Sequence, residues 1–119
     1  MPNGRPTDKQ RQGRLGEDAA LAHLLARGLV LVQRNFRCKG GEIDLIMRER
    51  GDLVFVEVRQ RAGTSHGGAA ASVTPAKRKR LVLAAQVYLL GLKTLPPCRF
   101  DVVAIDAGAL SWLRNAIDT

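Results

Sequence analysis

Aromatic residues are scarce in this chain: one Trp, one Tyr and three Phe, 4% of 119 residues. A protein that reads unpaired bases by stacking needs several aromatic faces, so that class of nucleic-acid reader is disfavoured. Cysteine and histidine are scarcer still, and Cys38, Cys98, His23 and His66 stand far apart in the sequence. They lack the paired spacing of a zinc site, and each histidine reads as an ordinary surface or core residue. The two cysteines read as free thiols of a cytoplasmic protein. The longest apolar run, "LVLAAQVYLLGL", contains Gln86 and falls short of the roughly 20 residues of a membrane span. The opening "MPNGRPTDKQRQGR" is polar and basic, without the apolar stretch of a secretory signal.

Positive charge is abundant. Nineteen Lys and Arg against eleven Asp and Glu give a net charge of +8. Such an excess points to a polyanionic partner, and nucleic acid is the commonest one in the cytoplasm. With few aromatics, contact with duplex phosphates fits better than base stacking. Hydrophobic residues make up 45% of the chain, an ordinary globular composition. The length suits one domain over residues 1–119, with residues 1–8 as a loose tail.

The pattern from about residue 8 to residue 27 is helical, and Gly28 is a natural stop. Residues 29–37 ("LVLVQRNFR"), "EIDLIMR" and "LVFVEVRQR" read as strands, the last two around a turn at Arg50-Gly51. Residues 62–72 ("AGTSHGGAAAS") are small and read as a mobile loop. A second helix opens with Thr74 as N-cap and Pro75 at its first position, and closes on Gly91. Residues 99–105 ("RFDVVAI") form a fourth strand, and "LSWLRNAI" fits either a short strand or a helical turn. The order α-β-β-β-α-β predicts an α/β fold, a mixed sheet with helices packed on it.

Two strands carry acids where acids are disfavoured. A two-residue loop at Arg50-Gly51 opposes Glu49 with Asp52, and the same register opposes Asp44 with Glu57. Carboxylates so placed repel unless a cation lies between them, one is protonated, or arginines neutralise both. That register also sets Arg59 opposite Glu42, which favours Glu42 as a partner for Arg59. In the first helix Glu17 shares a stripe with Leu21, Leu24 and Gly28. It either extends the core-facing side toward the sheet or ends the amphipathic face near the surface. In the second helix Lys77 shares a stripe with Leu81, Ala84 and Tyr88, so it leans toward the sheet. Arg78, Lys79 and Arg80 fan around the helix start, where a charge run is either a solvated face or a phosphate contact.

Together, Glu17 on a helix, Asp44 on one strand and Glu57-Val58-Arg59 on the next resemble the metal-dependent PD-(D/E)xK nuclease superfamily. More closely, "GRLGEDAALAHLLARG", "RNF", "GGEIDLI", "VFVEVRQR", "VTPAKRKRL" and "RFDVVAI" resemble the bacterial YraN family, which is similar to Holliday-junction resolvases. The resemblance runs from about Gly13 to the end, with the blocks in the expected order. It implies a restriction-endonuclease-like fold and a metal-dependent endonuclease acting on structured or branched DNA. It further implies Asp44, Glu57 and the Val58 carbonyl as ligands to Mg²⁺ or Mn²⁺, with Glu17 completing the site through a water. Lys77, Arg78, Lys79 and Arg80 would contact DNA, and junction-cleaving relatives imply a homodimer. One position departs from the superfamily pattern, which usually ends in Lys where this chain has Arg59. A guanidinium stays protonated, so Arg59 can orient a phosphate and stabilise charge but cannot act as a base. The alternative reading is a non-catalytic DNA-binding module that keeps the nuclease fold. A third is an interaction scaffold whose charge serves solubility.

Overall fold

The computed structural model describes residues 7–61 and 68–117. The elements run α1 (Asp8–Ala26), β1 (Val30–Cys38), β2 (Gly41–Glu49), β3 (Asp52–Arg61), α2 (Gly68–Ala71), α3 (Pro75–Leu90), β4 (Cys98–Asp106) and β5 (Ala109–Leu113). The five strands form one mixed sheet in sequential order. β3 and β4 are parallel, joined by the crossover that contains α2 and α3, and the other neighbours are antiparallel.

Helix α1 begins one residue earlier than a tail ending at Asp8 allows. Thr7 caps it, and Gln10 returns a bond to the Thr7 amide, so "TDKQ" is a reciprocal capping box. The rest of the expected tail lies outside the described residues. The helix ends before Gly28, whose φ of +92° suits glycine. α1 covers one face of the sheet, with Ala20 and Leu24 on Leu45, Met47, Val54, Val56 and Val103. α3 covers the other face, with Leu81, Ala84 and Ala85 on Ile43, Ile46, Phe55 and Phe100. No helix among the described residues is long and apolar enough to cross a membrane.

Two expectations change. Residues 62–67 of the expected loop lie outside the described residues. Residues 68–71, however, form the short helix α2, with Ala69 and Ser72 buried. Small side chains there let the turn pack against β3 and β4, so they mark close approach and not slackness. "LSWLRNAI" resolves into strand β5, paired along β4 from Val102↔Leu113 to Asp106↔Ala109, followed by a turn.

Candidate active site

The hairpin register is as the turn dictates: Glu49 opposes Asp52, and the ladder runs back to Leu45↔Val56. There it stops. Beyond that rung β2 keeps its pairing with β1 down to Cys38↔Gly41, while β3 keeps its pairing with β4 up to Arg61↔Asp106. The two strands therefore part company at Asp44 and Glu57. The Val58 N–H, on the far side of the opening, donates to Asp44 Oδ2 at 2.8 Å. A side-chain oxygen takes a donor beyond the last main-chain rung.

Asp44 reaches across because β1 and β2 both switch faces at its level. Leu45 and Met47 pack toward α1, yet Ile43, of the same parity, packs toward α3. In β1, Arg34 bonds acids of α1, whereas Phe36 packs edge-on against Tyr88 of α3. Between them Asn35 has a φ of +54°, a left-handed conformation that asparagine tolerates better than most residues. Alternation is thus reset at Asn35 and Asp44, and the Asp44 carboxylate lies toward β3. Sequence reasoning missed this reset; its visible trace is the Asn of "RNF".

Glu57 and Arg59 project together on the α3 side, with Arg59 Nη1 3.6 Å from Glu57 Oε2. Arg59 Nε donates to Ser72 Oγ at 2.9 Å. Glu42, expected opposite Arg59, instead pairs with Arg37 at 3.4 Å on the surface. The ladder ends before that register could reach it. Lys77 and Arg80 line a cavity of about 130 Å³ with Glu42, Asp44, Glu57 and Arg59. Arg78 and Lys79 are exposed and do not line it, so the structure divides the basic cluster in two. Gly41 permits this approach: a Cβ there would collide with the Arg80 carbonyl oxygen. The second glycine of "GGE" lets α3 lie directly on β2.

Glu17 reaches the site from the other face of the sheet. It borders a second cavity, about 420 Å³, with Gln12, Asp44, Arg59, Gln60 and Arg61. Its carboxylate takes a bond from Arg34 Nη2 at 3.1 Å, and the same nitrogen bonds Asp18 at 2.8 Å. The stripe reading toward the sheet is the one realised. Arg34, Asp18 and Ser72 were absent from the sequence-based site. Their roles depend on contacts between elements 13 or more residues apart, which periodicity cannot show.

The electrostatics of the acid pair are unusual. Glu57 is pushed up to about 8, first by burial and then by the charge of Asp44, while Arg59 and Lys77 pull it back. Asp44 is pushed up to about 6, chiefly by burial, with Glu17 and Glu42 adding to the rise and the Val58 N–H opposing it. Glu57 therefore holds its proton through neutral pH beside an Asp44 that is raised less. Such a pair is under-compensated: a cation could take the place of the proton on Glu57. Among the described residues no three His, Cys, Asp or Glu side chains gather around one point. The donor set is two carboxylates with main chain nearby, which fits an ion such as Mg²⁺ that keeps several waters. It does not fit an all-protein cage.

A larger cavity, about 550 Å³, lies elsewhere, between α3 and β4, with Phe55, Leu89, Phe100 and Ile117 in its wall. Its ionisable wall groups are Cys98 and Arg99, and Arg99 is already bound to Asp101 and Glu49. Chemistry, not volume, selects the acid cleft.

Comparison with known proteins places the chain in a family. The model of the uncharacterised protein family UPF0102 matches residues 16–105, which include Glu17, Asp44, Glu57, Arg59, Ser72, Lys77 and Arg80. A UPF0102 protein of Herminiimonas arsenicoxydans is 59% identical over 113 residues, covering 95% of this chain and 91% of its own. One from Cupriavidus metallidurans is 60% identical over 119 residues, covering 99% and 89%. One from Cupriavidus pinatubonensis is 63% identical over 110 residues, covering 92% and 87%. The chain belongs to the uncharacterised protein family UPF0102.

Proposed function

We propose that this protein is a Mg²⁺- or Mn²⁺-dependent endonuclease that hydrolyses phosphodiesters in duplex or branched DNA in the cytoplasm. The observation that carries this reading is the acid pair. Asp44 and Glu57 lie together where β2 and β3 diverge, both held above the ordinary carboxylate range in a cleft walled by Arg59, Lys77 and Arg80. Carboxylates placed so at a strand divergence, with basic groups around them, support the resemblance to the YraN family and the PD-(D/E)xK nucleases. They also support the restriction-endonuclease-like reading of the sheet. A homodimer follows by analogy with junction-cleaving enzymes.

Asp44 and Glu57, with the Val58 carbonyl, would hold the ion. When bound, it would supply charge to the scissile phosphate and acidify a water. The chain's own groups do the rest. Arg59, braced by Ser72, and Lys77 present cationic donors toward the phosphate between them and stabilise charge that develops on it. Glu17, held by Arg34 on the opposite side of Asp44, orients the attacking water by accepting its hydrogen bond. Arg80 contacts the neighbouring backbone phosphate. Arg78 and Lys79, exposed on the same turn, are placed for more distant phosphates.

A second reading is a DNA-binding module without catalysis, favoured by one observation. Arg59 stands where the related nucleases carry lysine, and its guanidinium cannot take a proton. One experiment separates the two: purified protein with linear, forked and four-way DNA in Mg²⁺, Mn²⁺ or EDTA. Hydrolysis predicts metal-dependent nicking that Asp44→Asn and Glu57→Gln each reduce at least about a hundredfold, the scale of losing a main charge stabiliser. Equal cleavage by the variants would mean a contaminating nuclease and would remove the assignment. Salt-sensitive binding without cleavage would select the module.

A further inference from the structure

Arg59 is held from behind by a group that no sequence pattern singled out. Its Nε–H donates to Ser72 Oγ at 2.9 Å, and the Ser72 hydroxyl donates to the Ala69 carbonyl at 2.6 Å. The hydroxyl's proton is committed to Ala69, so its lone pairs face Arg59. Ser72 is 8% exposed, which keeps water from replacing it cheaply. Its perch is fixed as well. The Ala69 N–H bonds Asp106 Oδ1 at the end of β4. Gly68, with φ of +76°, lets that carboxylate lie where a Cβ would collide with it. Asp106 is in turn the parallel neighbour of Arg61 on β3. The chain of contacts therefore returns to the strand that carries Glu57 and Arg59.

This frame constrains the guanidinium plane. Nε is bound to Ser72, and Nη1 is turned toward Glu57 at 3.6 Å. A planar fork with two nitrogens placed has no freedom left for the third. Nη2 makes no hydrogen bond among the described residues, and Arg59 lines both cavities that meet at Asp44. We infer that Ser72 is a positioning residue that fixes the Arg59 guanidinium with its remaining N–H groups presented to a phosphate oxygen at the acid cleft. The kinetic consequence rests on the proposed phosphodiester hydrolysis, whereas the positioning itself does not.

The test uses the full chain and the variants Ser72→Ala and Ser72→Thr. The first arm needs neither metal nor DNA: hydrogen exchange of the Arg59 Nε–H by ¹⁵N NMR, assigned by its loss in Arg59→Lys. Ser72→Ala should speed that exchange about tenfold or more, the scale of one hydrogen bond from a charged donor. Amides of α3 should keep their protection, and Ser72→Thr, which keeps the hydroxyl, should restore slow exchange at Arg59. Unchanged exchange in Ser72→Ala overturns the inference. So does a general rise across α3 in both variants, which would make Ser72 a packing residue only. In the second arm, Ser72→Ala should lower kcat for DNA cleavage about tenfold to a hundredfold, with KM nearly unchanged. Added to Arg59→Ala, it should cost nothing further, because both changes remove one unit. Additive losses would contradict the inference. If the parent cleaves no DNA, the proposed function fails while the exchange arm still decides the role of Ser72.

Discussion

Two aspartates in this sheet, Asp101 fully buried and Asp44 half-buried, have opposite surroundings. Asp101 on β4 is fully buried, and both its oxygens are satisfied: Oδ1 by Arg99 Nε and the Asn115 N–H, Oδ2 by Trp112 Nε1 and Arg99 Nη2. Arg99 is itself tied to Glu49, which also pairs with Arg114, and Arg114 stacks over Trp112 at 4.5 Å. Asp44 on β2 has one main-chain donor and a second acid. Burial with donors makes a carboxylate a fastener, joining β4 to β5 and the C-terminal turn. Partial burial with a single donor makes it a cost to the fold, and the proposed metal site rests on that imbalance.

One substitution at both positions would sharpen the contrast. Asp101→Asn removes the carboxylate that takes two nitrogens of Arg99, leaving Glu49 as its main partner, and turns an amide toward donors. It should cost about 3–5 kcal/mol, measured by urea unfolding in EDTA. A loss below 1 kcal/mol would break the fastener reading. The next effect is pH dependence. Glu57 ordinarily titrates near 4.5 and is raised to about 8 in the folded chain, so between these values the folded state binds more protons than the unfolded. Stability of the metal-free protein should therefore fall as pH rises from 4.5 through 8, by a few kcal/mol. Glu57→Gln should flatten that slope, and melts at several pH values check it. An equal slope in the variant would place the titration elsewhere. The smallest effect belongs to Asp44→Asn in EDTA. Asparagine keeps an oxygen for the Val58 N–H and removes the repulsion, so stability should hold or gain about 0.2–1 kcal/mol. A clear loss would make Asp44 a fastener like Asp101.

Most of the frame was legible because local chemistry fixes it. Thr74-Pro75, Gly28 and Arg50-Gly51 set where elements start and turn, and the hairpin loop sets the register down to Leu45↔Val56. The acids were legible because carboxylates in apolar strands violate the pattern around them. What stayed hidden was where the pairing stops. Extending the register past Leu45 gave Asp44 facing Glu57 in a closed ladder, and it gave Glu42 to Arg59. The strands instead diverge because β1 and β4 keep the outer rungs and Asn35 resets the faces. Tertiary competition of this kind has no periodic signature. The helix over residues 68–71 was hidden for a related reason. Small residues signal either slack chain or close packing, and the partner that decides, Asp106, lies 37 residues from Ala69.

On the proposed function, a divalent ion at Asp44 and Glu57 replaces the proton that Glu57 holds in the metal-free protein. Calorimetric titration of Mn²⁺ into the metal-free protein at pH 8, repeated in buffers of different ionisation enthalpy, tests it most directly. One site per chain is expected, with proton release on binding that grows as pH falls toward 7 and loss of both in Glu57→Gln. Mn²⁺ binding of equal strength in parent and Glu57→Gln, or no binding by the parent at all, would contradict it.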